Sequence, residues 1–93
     1  MDQFMVLCTF RQGTVMSEVF AVVADEQAAV ARLTEEGRLG EIRLSMARGA
    51  VFIEAFAESA EHAADVVASL PMARWWDIDV FPIAAPPVQG GAA

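Results

Sequence analysis

The chain has 93 residues, 56% of them hydrophobic, and a formal net charge of −7. A single domain of this length buries only roughly 60–65% of its unfolded surface, so the hydrophobic surplus predicts a homodimer or larger homo-oligomer with apolar residues at its interface. The acidic balance argues against nucleic acid and anionic membrane surfaces as partners, because both require a basic patch.

The cysteine count, the motifs and the hydropathy of the sequence limit which bonds, bound groups and locations are expected for this protein. Cys8 is the only cysteine in the sequence, which excludes an internal disulfide and a multi-cysteine metal site. No phosphate loop or dinucleotide fingerprint is present, so no metal and no cofactor are expected. There is no basic start before a long apolar run and no stretch of roughly 20 apolar residues, so a cytoplasmic protein is expected.

The first part of the chain predicts a strand and then a helix. Residues 3–10 are apolar at nearly every position, which is typical of a strand buried on both faces. Residues 13–19 form either a loop or an extended segment. Apolar residues then recur at helical spacing over residues 25–36, with Asp25 as the N-cap and Gly37 as the C-cap.

Residues 41–47 and 50–57 predict a β-hairpin. Both segments alternate, and Arg48-Gly49 between them suits a two-residue turn in which Gly49 has a positive φ. This turn fixes a register with the following pairs: Met46 with Val51, Leu44 with Ile53, Ile42 with Ala55, Ser45 with Phe52, Arg43 with Glu54, and Glu41 with Phe56.

The last third predicts a second helix and a final strand. Ser59 caps a helix over residues 59–69, and Pro71 prevents that helix from continuing. Residues 76–83 alternate and form the last strand, which therefore ends a domain spanning residues 1–83. The Pro/Gly/Ala-rich tail over residues 84–93 is either disordered or draped across a partner subunit.

The element order β-α-β-β-α-β predicts an α+β, ferredoxin-like domain. Its four-stranded antiparallel sheet carries two helices on one face and leaves the other face open. The open face bears Phe52 and Phe56, so we expect a partner to cover it. Two such faces packed together predict a symmetric dimer of the dimeric α+β barrel kind.

Charged residues of the open face are the first candidates for chemistry. In the predicted register Arg43 lies opposite Glu54, which fits either an anion-binding arginine beside a general base or an ion pair at the wet edge of an interface. Glu41 is either a second acid or base or a solvated strand-end charge. Asp79 lies in the middle of the last strand and shares this face.

Aromatic residues and two single side chains complete the candidates. The aromatic residues line a ligand pocket, anchor a dimer interface or do both: Phe52, Phe56, Trp75, Trp76 and Phe81. His62, the only histidine, lacks partners at metal-ligand spacing, and its place is the solvated flank of the second helix. Cys8 is expected to be an inert core residue.

The C-terminal pattern resembles that of muconolactone isomerase-like proteins. The resemblance covers residues 33–86 and rests on Ser69-Leu70-Pro71 followed by Trp76-Asp77-Ile78-Asp79-Val80 and Pro82-Ile83. It implies a ferredoxin-like, dimeric α+β barrel that moves a proton within an unsaturated lactone. By this resemblance, the family's histidine in the second strand falls on Glu41, and its arginine before the third strand falls on Arg48.

These expectations combine into one functional hypothesis and one alternative. The hypothesis is a muconolactone isomerase-like, cofactor-independent isomerase or cyclase-type enzyme, acting by proton transfer on a small unsaturated or aromatic substrate that bears a carboxylate. Glu54 or Glu41 moves the proton, and Arg43 or Arg48 holds the carboxylate. The remaining substrate-binding candidates are Phe52, Phe56, Trp76 and Asp79. The alternative is a non-catalytic module that uses the aromatic sheet face for small-molecule binding or assembly.

Overall fold

The computed structural model describes residues 1–86, and its four strands form one antiparallel sheet in the order β2-β3-β1-β4. The strands are β1 (Asp2–Phe10), β2 (Leu39–Ser45), β3 (Ala50–Ala57) and β4 (Trp76–Ile83). The helices are α1 (Met16–Phe20), α2 (Val23–Glu35) and α3 (Ala60–Ala68). Two short 3-10 turns, Met46–Arg48 and Pro71–Trp75, precede β3 and β4.

Strand β1 is one of the two central strands of the sheet, but it is fully buried on one face only, whereas its apolar sequence predicts burial on both faces. It pairs with β3 on one side and β4 on the other. Phe4, Val6 and Cys8 are buried on the side that faces the helices. Met5 and Leu7 alternate with them and lie half-buried on the opposite side. We call these sides the helical face and the open face of the sheet.

The first helical region differs from its prediction at its start. Helix α1 occupies part of residues 13–19, where a loop or extended segment was expected. Helix α2 begins at Val23 without a side-chain cap, so the expected cap at Asp25 is wrong. Gly37 has a φ of +78° just after α2 and ends the helix as predicted.

The β2–β3 connection is longer than the predicted two-residue turn. Met46–Arg48 forms a 3-10 turn and Gly49 takes the predicted positive φ of 58°, so four residues separate the strands. The register therefore slides by two positions, and Arg43 pairs with Phe52 instead of Glu54. Because the slide is even, residues 42–45 of β2 keep their predicted faces. Met46, which was expected to pair with Val51, lies in the 3-10 turn and is 83% exposed.

Helix α3 and strand β4 follow the predicted pattern. The Ser59 side chain accepts a hydrogen bond from the His62 backbone N–H at 3.1 Å and caps α3. Ala63 and Val67 of α3 are fully buried, and Leu70 closes the core before Pro71. The helix thus covers β1, β3 and β4 on their helical face.

The observed order and packing confirm an α+β fold of ferredoxin-like topology. Both longer helices lie on the helical face, where they share one core with the central strands. No helix within residues 1–86 is long and apolar enough to cross a membrane. The predicted tail continues past the described chain, because residues 87–93 lie outside it.

Candidate functional site

A cavity of about 280 Å³ lies between helix α2 and the helical face of the sheet. Its lining is almost wholly apolar and comprises Val23, Glu26, Gln27, Val30, Ile42, Leu44, Val51, Ile53, Met72 and Trp76. Leu44 is 64% exposed, and Gln27 is also exposed, so these two residues mark the mouth. The volume suits a small organic molecule.

Glu26 brings a carboxyl group into this apolar cavity. It lies on the inward stripe of α2 with Val23, Val30 and Leu33, at the spacing of a buried helix face. Only 9% of its surface is exposed, and it is the one buried charged residue among residues 1–86. Helix geometry and the packing of α2 therefore place the carboxyl against the sheet.

The surroundings of Glu26 disfavour its charged form. Burial raises the pKa of Glu26, and the hydrogen bond from the Met72 backbone N–H to Oε1, at 2.9 Å, opposes that rise. The bond fixes one carboxylate oxygen and leaves Oε2 for a ligand. A carboxyl with a raised pKa is suited to proton transfer near neutral pH.

Trp76 contributes to the wall of the cavity from the start of β4. It lies on the helical face, is 4% exposed and packs edge to face on Phe10, with ring centroids 6.1 Å apart. Its indole Nε1 is buried and finds no hydrogen-bond partner within the described chain. Because this atom has almost no accessible surface, a ligand in the cavity contacts the ring and does not reach the N–H.

The position of Trp76 corrects the aromatic cluster expected from the sequence. Trp76 pairs with Phe10 across the sheet, and both side chains point toward the helices. Phe52 and Phe81 point the other way and are 39% and 46% exposed. The strand alternation that separates Trp76 from Asp77 accounts for this division, so the aromatic residues belong to two sites.

On the open face, Glu54 contacts a bulge in β2 instead of Arg43. The register between Leu39 and Ile42 gains one residue, which places Gly40 and Glu41 opposite Glu54. Glu54 accepts a hydrogen bond from the Glu41 backbone N–H at 3.1 Å and another from the Gln3 side chain. Through these two hydrogen bonds, Glu54 stabilises the bulge.

The predicted pairing of Arg43 with Glu54 is therefore wrong. Arg43 forms an ion pair with Glu41 of its own strand at 3.2 Å, and both side chains are about 70% exposed (70% and 72%). A pair this exposed is screened by water and contributes little stability. Arg48 lies exposed in the 3-10 turn before β3, within the connection where it was expected.

The open face groups the remaining predicted residues in rows across the sheet. One row runs from Arg43 through Phe52 and Leu7 to Asp79. The next row carries Glu54, Met5 and Phe81, and Phe56 lies beside Gln3 in the third. The predicted side chains other than Trp76 and Arg48 thus share one surface of mixed polar and apolar character, and none of them lines the Glu26 cavity.

Sequence reasoning missed Glu26, although a signal was present. The predicted helix began at Asp25, and none of its acidic residues was singled out as a candidate. Extending the helical spacing back to Val23 would have placed Glu26 in line with Val30 and Leu33. A charged residue within an apolar stripe is the pattern that marks a buried functional group.

Cys8 and His62 agree with their predicted structural roles. Cys8 is fully buried, and burial, with a smaller contribution from Glu26, raises the pKa of its thiol to about 12. His62 Nδ1 accepts a hydrogen bond from the Glu58 backbone N–H at 3.3 Å at the start of α3. Residues 1–86 contain no group of three potential His, Cys, Asp or Glu metal ligands.

Comparison with known proteins supports the observed fold and assigns the chain to a protein family. A solved crystal structure of muconolactone isomerase is similar, with a TM-score of 0.71 and 22% sequence identity, and the match covers 94% of this chain and 93% of that chain. A search of curated proteins finds no match. The family model of muconolactone delta-isomerase matches residues 3–88, so the chain belongs to the muconolactone delta-isomerase family.

Proposed function

We propose that the protein is a cofactor-independent isomerase that moves a proton within a small unsaturated substrate bound in the Glu26 cavity. The observation that carries the proposal is a single buried carboxyl of raised pKa in an otherwise apolar cavity, with one of its oxygens held by the Met72 N–H. Membership of the muconolactone delta-isomerase family supports isomerase chemistry. The family match by itself does not assign the substrate of this chain.

The proposed reaction uses Glu26 as both base and acid. Its carboxylate takes a proton from the carbon next to a substrate carbonyl, and the electron pair moves toward the carbonyl oxygen. The Glu26 carboxyl then returns the proton to the distal carbon of the original double bond. The double bond thereby moves next to the carbonyl, and proton and electron counts balance.

Two features favour Glu26 over the acids expected from the sequence. Burial in the apolar cavity raises the pKa of Glu26, whereas Glu41 is 72% exposed in its ion pair. Glu54 already accepts two hydrogen bonds at the bulge. The catalytic roles expected for Glu41 and Glu54 thus form the competing version of the proposal, with Arg43, Arg48 and Asp79 as its polar binding residues.

Matched carboxamide variants separate these versions. Turnover of unsaturated lactones, muconolactone included, is followed by NMR for the wild type and the variants. Glu26→Gln should lower turnover by about 10²–10⁴-fold, because the amide cannot carry the proton. Glu35→Gln on the exposed side of the same helix is the control and should retain activity. A large loss for Glu54→Gln with full activity in Glu26→Gln would move the site to the open face.

The exposed aromatic face favours a second role in assembly. Phe52 and Phe81 project from the open face with 39% and 46% of their surfaces exposed, flanked by half-buried Met5 and Leu7. Apolar side chains grouped in this way are typical of a subunit interface. A homodimer formed through this face would leave the Glu26 cavity accessible on the other side of each sheet. The non-catalytic alternative is a protein that has only this assembly role or a binding role.

A further inference from the structure

We infer that the Glu26 cavity takes an uncharged unsaturated ketone or lactone and discriminates against substrates that bear a carboxylate. This inference rests on the proposed function and narrows the substrate class of the same site. It departs from the carboxylate-bearing substrate that the sequence suggests. The charges, the hydrogen-bond donors and the size of the cavity each bear on it.

The charge around the cavity is unsuited to an anion. Glu26 is the one ionisable residue in the lining, and no arginine or histidine of residues 1–86 contributes to it. A substrate carboxylate would therefore be buried beside a second carboxyl without a cation. The raised pKa of Glu26 has the same physical origin, because this environment already disfavours one negative charge.

The basic residues of the chain lie outside the cavity lining: five of the six have a partner elsewhere, and Arg48 is exposed in the 3-10 turn before β3. All six are arginines, and the segment 84–93 contains no charged residue that could complete the site. The structure pairs most of these side chains with acids outside the cavity: Arg11 with Asp77, Arg32 and Arg38 with Glu36, and Arg43 with Glu41. Arg74 lies over the Trp75 ring, with its guanidinium carbon 5.0 Å from the ring centroid.

The polar groups of the cavity match a neutral carbonyl compound. The polar side chains of the lining are the Gln27 amide and the Glu26 carboxyl, whose raised pKa favours its neutral, proton-donating form, and a ketone or lactone oxygen is an acceptor that carries no net charge. Glu26 keeps Oε2 free while Oε1 is held by Met72. A cavity of about 280 Å³ leaves space for one small ring compound. One acceptor and one transferable proton thus describe the ligand.

A pair of lactones that differ by one carboxylate tests the inference. α-Angelica lactone carries a methyl group where muconolactone carries a carboxymethyl group, and the enol-lactone isomer of muconolactone has the same ring double bond. Both are offered to the full chain, with double-bond migration followed by NMR and binding by calorimetry. We expect kcat/KM and affinity to favour α-angelica lactone by at least about tenfold.

Every outcome is decisive because binding and turnover are measured separately. Equal or better binding of the carboxylate-bearing lactone overturns the inference and leaves the isomerase proposal intact. Preferential binding of α-angelica lactone without turnover supports the inference and contradicts the isomerase proposal. Absence of both binding and turnover for the two lactones contradicts both.

Two variants test the physical reasons. Gln27→Arg adds a cation at the mouth of the cavity and should shift the preference toward the carboxylate-bearing lactone by about tenfold, whereas the uncharged Gln27→Met should not. Unchanged preference in Gln27→Arg, or an equal shift in Gln27→Met, would contradict the assigned recognition.

Discussion

At the residue scale, Glu26 places one carboxyl group on a face of α2 that otherwise packs against the sheet through apolar side chains, and this single position creates the candidate site. Its neighbours on the inner stripe of α2 are apolar, so the carboxyl follows them toward the sheet. The Met72 N–H satisfies one oxygen, but burial still raises the pKa. The protein thereby holds a group whose protonation costs little and whose ionisation is unfavourable, which makes its carboxylate a stronger base.

The raised pKa of Glu26 makes folding stability depend on pH. The folded chain binds this proton more tightly than the unfolded chain, whose ordinary value is 4.5, so the contribution is full below that value and is lost as pH rises through the folded pKa. Glu26→Gln should remove this loss, at about 1.4 kcal/mol for each unit of pKa elevation. Urea unfolding of both proteins from about pH 4 to 8 measures the difference, which should grow with pH in favour of the variant. A constant difference would contradict the assignment.

Cys8 should be chemically inert in the folded protein. Burial raises its thiol pKa to about 12, so only about one thiol in 10⁴ is ionised at about pH 8. A thiol reagent such as DTNB should react with Cys8 only when the chain unfolds. Reaction of the same thiol in denaturant is the control. Rapid labelling under native conditions would show that β1 is open to solvent at this position.

At the element scale, the β2–β3 hairpin shows where sequence reasoning succeeds and where it stops. The alternation of apolar and polar residues predicted which side chains share a face. This prediction is confirmed for residues 42–45, because the register slid by an even number of residues. The turn length was not predictable, because Met46 and Ala47 continue the alternating pattern yet belong to the connection. The bulge at Gly40 and Glu41 was equally hidden, since its cause is the Glu54 side chain on another strand.

Dependence on contacts between distant parts of the chain also explains why the candidate site was not predicted from the sequence. The α+β ferredoxin-like fold, the α3 cap and the family resemblance were all predicted from local patterns and are confirmed. The cavity is formed by α2, β2, β3 and the turn before β4, which are far apart in sequence. Trp76 was named as a binding residue, and its grouping with Phe52 was wrong because the two lie on opposite faces of the sheet.

The bulge in β2 should require glycine at position 40. A Cβ on Gly40 would collide with the Glu54 carboxylate and approach the Phe56 ring within 3.1 Å. Gly40→Ala should therefore destabilise the fold by about 1–3 kcal/mol in urea unfolding. The cost should shrink in a Glu54→Ala background, where the carboxylate is absent. Equal costs in both backgrounds would contradict this account of the bulge.

At the scale of the whole molecule, the sheet separates two tasks. The helical face holds the core and the Glu26 cavity, and the open face carries Phe52, Phe81 and the charged residues expected from the sequence. A chain with 56% hydrophobic residues gains stability if one of these faces is covered by a second copy. Assembly and chemistry can then be changed independently by mutation.

The open face should mediate self-association. Phe52→Glu places a charge at the exposed ring position and should weaken dimerisation by at least about 30-fold, as measured by sedimentation. Ala68→Glu, on the exposed side of α3, adds the same charge away from this face and should leave the assembly intact. A monomeric wild type, or equal dissociation of both variants, would contradict this interface.

The central claim is that Glu26 is a proton carrier held in an apolar cavity. The most direct test is an NMR titration of the glutamate side-chain carboxyl carbons in the isotope-labelled full chain, with the Glu26 resonance identified by its loss in Glu26→Gln. We predict a pKa for Glu26 above the ordinary value of 4.5 and a further change in its titration when α-angelica lactone is added. A pKa at or below 4.5 that is unaffected by the lactone would contradict the claim.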